Sequence, residues 1–172
     1  MRVLAEAIIT TAAVAAGLPA TAIMDKPDRE TALLPEKRLQ LEYMDEILAR
    51  SSRRIAKFAS EENPDTHRTV RHRRYRRTLM VRAEVVADDP DWLAIFVDAF
   101  IRAMPHKTAD ADNNLVTVKV NKAVRGGFAL KTVEVFARRS AALHISVEGM
   151  LCEDEEVPLI RDVNLVDGVT TA

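Results

Sequence analysis

The chain is poor in the residues from which an active site is usually recognised. It has one cysteine, Cys152, in 172 residues. A lone thiol excludes an internal disulfide and fits a reducing compartment. With no histidine or second cysteine at ligand spacing, it does not build a zinc site, and a buried or incidental thiol is expected. No apolar run is long enough to span a bilayer. The first 22 residues superficially resemble a signal peptide ending in Leu18-Pro19-Ala20-Thr21-Ala22. However, Glu6 and Thr10-Thr11 interrupt the apolar stretch, and only Arg2 precedes it. An amphipathic helix is the expectation there. Internal repeats and low-complexity tracts are absent as well.

Catalytic patterns are equally scarce. His67 and His72 lie in a basic stretch, His106 follows a helix stop, and His144 faces outward on an alternating strand. None has a carboxylate or cysteine at metal-ligand spacing. Asp110, Asp112, Asn113 and Asn114 lack the glycine and the terminal glutamate of a calcium loop, so a polar turn is expected. Gly126-Gly127 is followed by no lysine or Ser/Thr at phosphate-loop spacing, and Ser51, Ser52 and Ser140 lie in no nucleophile motif. No catalytic residue, metal or cofactor is therefore assigned, and the chain is read as a non-enzyme.

What the chain does have is ordinary globular composition, 48% hydrophobic and 30% charged, with its charge unevenly placed. The net charge is −1. Yet residues 50–82 hold 11 Lys and Arg against three acids, Glu61, Glu62 and Asp65. The opposite extreme is the run Glu153-Asp154-Glu155-Glu156. One domain over residues 1–172 is expected from the length.

Hydrophobic periodicity orders the elements. Leu4, Ala7, Ile8, Thr11, Ala12 and Ala15 are expected to share a face of a first helix, ended by Gly17, Leu18 and Pro19. Residues 20–35 read as a loop. Leu39, Leu41 and Tyr43 alternate with polar residues as in a half-buried strand, as do Leu79, Val81, Ala83 and Val85. Between them a basic ribbon, about residues 50–78, turns near Asn63-Pro64 and projects from the sheet. The expected faces put Arg71, Arg73 and Arg77 on one side, Arg74 and Arg76 on the other. A second helix is capped by Asp88 or Asp89, with Pro90 in its first turn; it carries Leu93, Phe96, Val97, Phe100, Ile101 and Met104 on one stripe and stops at Pro105. Three strands are expected next, Leu115–Ala123, Phe128–Arg138 and Ala142–Leu151. Gly126-Gly127 would make a turn or bulge after the first, and Arg138-Arg139-Ser140 would turn the second hairpin. Residues 153–172 read as an extended C-terminal segment, with a weak strand over Val157–Val166 and Pro158 favouring an edge or a tail. The fold class expected is α+β: one mostly antiparallel, twisted sheet with two helices packed on a face and a protruding basic β-ribbon.

The ribbon is the functional candidate, through Arg50, Arg53, Arg54, Lys57, Arg68, Arg71, Arg73, Arg74, Arg76 and Arg77. Guanidinium groups about 7 Å apart repel by about 0.6 kcal/mol even in water, so an ordered ribbon needs opposing charge. Nucleic acid would supply it through phosphates, with Tyr75 or Phe58 stacking on bases. Protein would supply it through the Glu153, Asp154, Glu155 and Glu156 run of a neighbouring copy, or through another acidic subunit. The complementary asymmetry within one chain favours protein.

The order of elements carries a resemblance. A short helix and a proline-containing loop lead to an alternating strand and a long excursion that returns through Arg77–Val86. An Asp-Asp-Pro-capped helix, Asp88–Met104, follows, and then strands with Leu115-Val116-Thr117-Val118, Thr132-Val133-Glu134-Val135 and Leu143-His144-Ile145-Ser146-Val147. This resembles the tail terminator, or tail completion, proteins of tailed bacteriophages and their prophage relatives, over most of the chain and by size, order and texture. The resemblance implies a virion protein, assembled in the host cytoplasm, that forms a homo-oligomeric ring, typically of six copies. Such a ring caps the tail tube, stops its growth and meets the neck or head connector and, in a contractile tail, the sheath. It implies no membrane. The chain departs from shorter members in the 50–78 excursion, expected to be an arm gripping a neighbouring subunit, tube or sheath. Ring closure requires a heterologous interface, for which the ribbon and the Val157–Val166 edge are the expected donors. A small nucleic-acid-binding protein is the alternative of a different class, and a tube or head-completion subunit is a nearby one.

Overall fold

The first helix, α1 (Arg2–Ala15), ends where the sequence can no longer continue it. Gly17 adopts φ +99°, its N–H donates to the Val14 carbonyl, and the Leu18 N–H reaches back to the Ala13 carbonyl. This pair of bonds closes the last turn in the manner of a Schellman motif, with buried Leu18 as its apolar clasp. The buried stripe is Ala5, Ile8, Ile9, Ala12 and Ala13. It is rotated from the expected face: Ala7, Thr11 and Ala15 are exposed, and the Thr11 hydroxyl donates to the Ala7 carbonyl.

The computed structural model describes residues 1–26, 34–128 and 139–159. Among them, β1 (Ile23–Asp25), β2 (Arg38–Ala59), β3 (His67–Ala87), β4 (Lys107–Ala109), β5 (Leu115–Phe128) and β6 (Arg139–Pro158) form one sheet in the order β1-β2-β3-β6-β5-β4. Only the short β1 lies parallel to its neighbour; the other pairings are antiparallel. The fold is α+β with a mostly antiparallel sheet, as expected.

The second helix, α2 (Pro90–Ala103), starts at Asp89, whose carboxylate accepts from the backbone N–H groups of Asp91 and Trp92. Leu93, Phe96, Val97 and Phe100 are buried, and Trp92, Phe96 and Phe100 stack in succession. Each such side chain contributes about 1.5–3 kcal/mol by leaving water. Both helices pack with Leu39, Leu41, Leu79, Val81, Ala83, Val85, Leu143, Ile145 and Val147 in a single core at one end of the sheet.

Several expectations are corrected. A short strand, β1, lies within the supposed 20–35 loop, and β4 follows α2 unannounced. Of the two readings of Gly126-Gly127 the bulge holds and the turn does not: β5 runs through it with a register shift between Arg125 and Gly127. Arg139 and Ser140 do not turn a hairpin either, since they open β6 opposite Phe128 and Gly127. Of the expected Phe128–Arg138 strand, Phe128 belongs to β5 and residues 129–138 lie outside the described part. The C-terminal expectation divides likewise. Residues 153–158 are the end of β6, and residues 160–172 lie outside the described part.

Candidate interaction arm

Three strands outrun the core. β5 follows β6 only as far as the Thr117–Glu148 pair, while β2, β3 and β6 continue to Ala59, His67 and Pro158. Beyond Glu148 about ten residues of each strand remain, an arm about 33 Å long at 3.3 Å per residue. Its tip is a turn in which the Asn63 carbonyl accepts from Thr66 N–H and His67 N–H. Buried Ser60 ties that turn to the third strand, donating its hydroxyl to Glu156 and accepting from Asn63 N–H. The expected ribbon and its turn are present, but with a third strand that the sequence reading placed elsewhere.

That third strand overturns the charge argument. Strand β6 lays the acidic run against β3 of the same chain, pairing Arg71 with Asp154 and His72 with Glu153 in register. Arg71 holds Asp154 through two bonds of 2.7 Å, and its guanidinium carbon lies 5.5 Å from the Phe58 ring centre. Arg74 pairs with Glu153, Arg77 with Glu46, and His72 Nε2 lies 3.4 Å from Glu155. Arg71 and Arg77 hold the Asp154 and Glu46 carboxyls below the usual carboxylate range, mainly by hydrogen bonding. Counting β6 and Glu46, the arm has ten Lys and Arg against eight carboxylates. Much of the arm's charge is therefore balanced within the chain.

The faces also differ from expectation. Strand β3 bulges between Arg73 and Tyr75. Alternation along β6 therefore puts Arg71, Arg73 and Arg76 on the side away from the helices, opposite Asp154, Cys152 and Met150 in that order. Arg77 and Tyr75 stand on the helix side, opposite Gly149 and Leu151. Arg50, Arg54 and Lys57 of β2 and Arg68 of β3 share the helix side, and Arg53 lies on the other, opposite Arg73. Arg73 Nε donates to the Ser51 hydroxyl. Among the described residues, no carboxylate lies within ion-pair distance of Arg50, Arg53, Arg54, Lys57, Arg68 or Arg76. On the helix side near the tip, Arg54, Lys57, Arg68 and His72 surround a shallow pocket of 190 Å³ floored by Val70 and Val157.

Apolar side chains accompany these cations. Ile47, Leu48, Ile55, Phe58, Tyr75, Leu151 and Val157 are all exposed on the arm. Leu48 stands beside Arg77, and Tyr75 lies between Arg50 and Leu151. Mixed aromatic, aliphatic and arginine surface of this kind characterises protein-recognition patches. Leu48, Glu46 and Ser60 carry no signal that the sequence reading uses, although Leu48 continues the apolar alternation of its strand; Leu151 is the last residue of the expected Ala142–Leu151 strand. Cys152 is half-buried, and burial pushes its thiol up.

The described residues contain no cluster of three or more His, Cys, Asp or Glu able to hold a metal. No described helix is long and apolar enough to cross a membrane. The Asp110 turn is polar, as expected: its carboxylate accepts from Asp112 N–H and Asn114 N–H. No protein-family model matches the chain, and no curated protein matches it.

Proposed function

We propose that this chain is a structural subunit of a tailed-phage particle, a tail terminator whose copies form a ring, typically of six, at the end of the tail tube. The observation that carries the reading is the arm. A three-stranded extension without a core of its own leaves Leu48, Tyr75 and Leu151 exposed among arginines, a surface suited to another protein rather than to a small molecule. The resemblance in element order supplies the particular assembly. The tube end, the neck connector and, in a contractile tail, the sheath are the remaining partners.

Inactivating the gene in the phage or prophage that encodes it tests this reading directly. Tails of uncontrolled length that fail to join heads are expected by electron microscopy, with a ring at the tube end when the gene is restored. Tails of normal length joined to heads would sink it. Nucleic-acid binding is favoured by the six cations that have no carboxylate partner among the described residues but opposed by the arm's near balance of charge. A shift of duplex DNA at about 0.15 M salt would revive it, since phosphate contacts weaken steeply with salt.

A further inference from the structure

The two edges of the arm are opposites. Along β2, residues 47–59 carry Arg50, Arg53, Arg54 and Lys57 and no carboxylate; along β6, residues 149–158 carry Glu153, Asp154, Glu155 and Glu156 and no cation. Both edges are open among the described residues. Strand β1 pairs with β2 only at Leu39–Leu41, and the β5 ladder on β6 ends at Glu148, with Val116 still beside Gly149. An open edge is a row of unpaired N–H and C=O groups, usually guarded against pairing. Here three register shifts interrupt β2, confining any pairing to short stretches.

We propose that the arm assembles copies of this chain edge to edge, with the acidic β6 edge of one copy added in parallel to the basic β2 edge of the next. The charges are at matching heights. Through β3, Arg54 lies level with Glu153, Ala56 with Asp154 and Lys57 with Glu155. Because β2 and β6 are both antiparallel to β3, they run in the same direction, from the core towards the tip. A neighbour whose arm points the same way therefore brings β2 parallel to β6, with cations facing carboxylates and the helices of both copies on one side of the sheet. The two self-pairings are rejected: β2 on β2 opposes cations to cations, and β6 on β6 opposes carboxylates to carboxylates. The surviving contact is heterologous, the kind that closes into rings when the rotation allows. Exposed Ile47, Leu48, Ile55, Leu151 and Val157 on these strands provide the apolar area the contact buries. The inference gives the proposed ring its interface but stands on the edges themselves.

The test is cross-linking of the full-length chain in a Cys152→Ser background. Within one chain residues 57 and 155 sit two strands apart, about 9.6 Å, too far for a disulfide. The double variant Lys57→Cys/Glu155→Cys is expected to form, on mild oxidation, a ladder of covalent species extending beyond the dimer. Lys57→Cys alone and Glu155→Cys alone are expected to give almost none. A charge swap supplies the second arm: Lys57→Glu weakens self-association about fivefold and Glu155→Lys likewise, whereas combining them restores it. Circular dichroism establishes that each variant is folded. Dimers from either single cysteine, a chain that stays monomeric at millimolar concentration, or no recovery in the swapped variant would overturn the proposal. If the ladder forms but gene-inactivated phage make normal tails, the terminator reading fails alone; overgrown tails without a ladder sink only the edge contact.

Discussion

At the scale of single residues, the arm is organised by pairs that carry modest energy but fix register. Arg71–Asp154 is the best formed, bidentate and partly sheltered, with side-chain exposures of 27% and 37%. A pair this exposed is worth under about 1 kcal/mol after solvent screening. Its pH dependence follows from the lowered Asp154 carboxyl. The folded carboxylate binds a proton less readily than the unfolded one, whose value is about 3.9. The stabilisation is therefore complete above that unfolded value and lost as pH falls through the folded one. Asp154→Asn is expected to lower stability at pH 7 by about 0.5–1 kcal/mol in urea unfolding, and the gap to wild type should close as pH falls through the lowered folded value of the carboxyl. A gap that persists unchanged in acid would mean that the substitution acts through something other than the ion pair. Tyr43 behaves oppositely: burial first, then Glu6 and Asp25, push its hydroxyl up to about 12, so its contribution is present below about pH 10 and fades above it.

At the scale of elements, the sequence was legible wherever the period was local. Helix α2 matches its expected cap, stripe and stop because every signal lies within one continuous segment. The α1 stripe was shifted by one position because alanine and threonine fill both faces and discriminate poorly between them; Ala5 and Ile9 emerge only once the sheet is in place. Strands were found where apolar residues alternate and missed where they do not. Strand β6 runs from Arg139 to Pro158, but its second half is carboxylates, which read as tail. The arm is correspondingly thin in buried contacts: beyond the core, Ser60, Thr69 and Val70 are buried, whereas β3 alternates fully buried residues from Leu79 to Ala87. Segments with few buried apolar contacts open locally. Hydrogen exchange should therefore find amides of 68–76 and 151–157 exchanging through openings well below the global unfolding free energy, and amides of 81–86 and 143–147 only through global unfolding. Equal protection in both sets would show that the arm and core open as one unit.

At the scale of the whole molecule, the feature that sequence reasoning handled least well was long-range pairing. Arg71 and Asp154 are separated by 83 positions, and no local pattern announces that they meet. The two charge extremes were read correctly as complementary but assigned to different copies, because a β-ladder between distant segments leaves no periodic trace. Once β3 and β6 are paired, the arm's net charge is small and its asymmetry lies in its two edges, which differ in sign. The core supports a clean separation of the two parts. All the large buried side chains of α1, α2 and the strands beneath them lie below the arm. Removing residues 55–71 and joining Arg54 to His72 through Asn-Gly, which suits a two-residue hairpin turn, shortens β2 and β3 together without touching that core. The shortened chain is expected to keep its helical circular dichroism and cooperative unfolding, to remain monomeric by light scattering where the full chain associates, and to fail to restore normal-length, head-joined tails when it replaces the original gene. Association and tail length that survive the truncation would place the subunit contact in the core region, with the arm left as a passive extension.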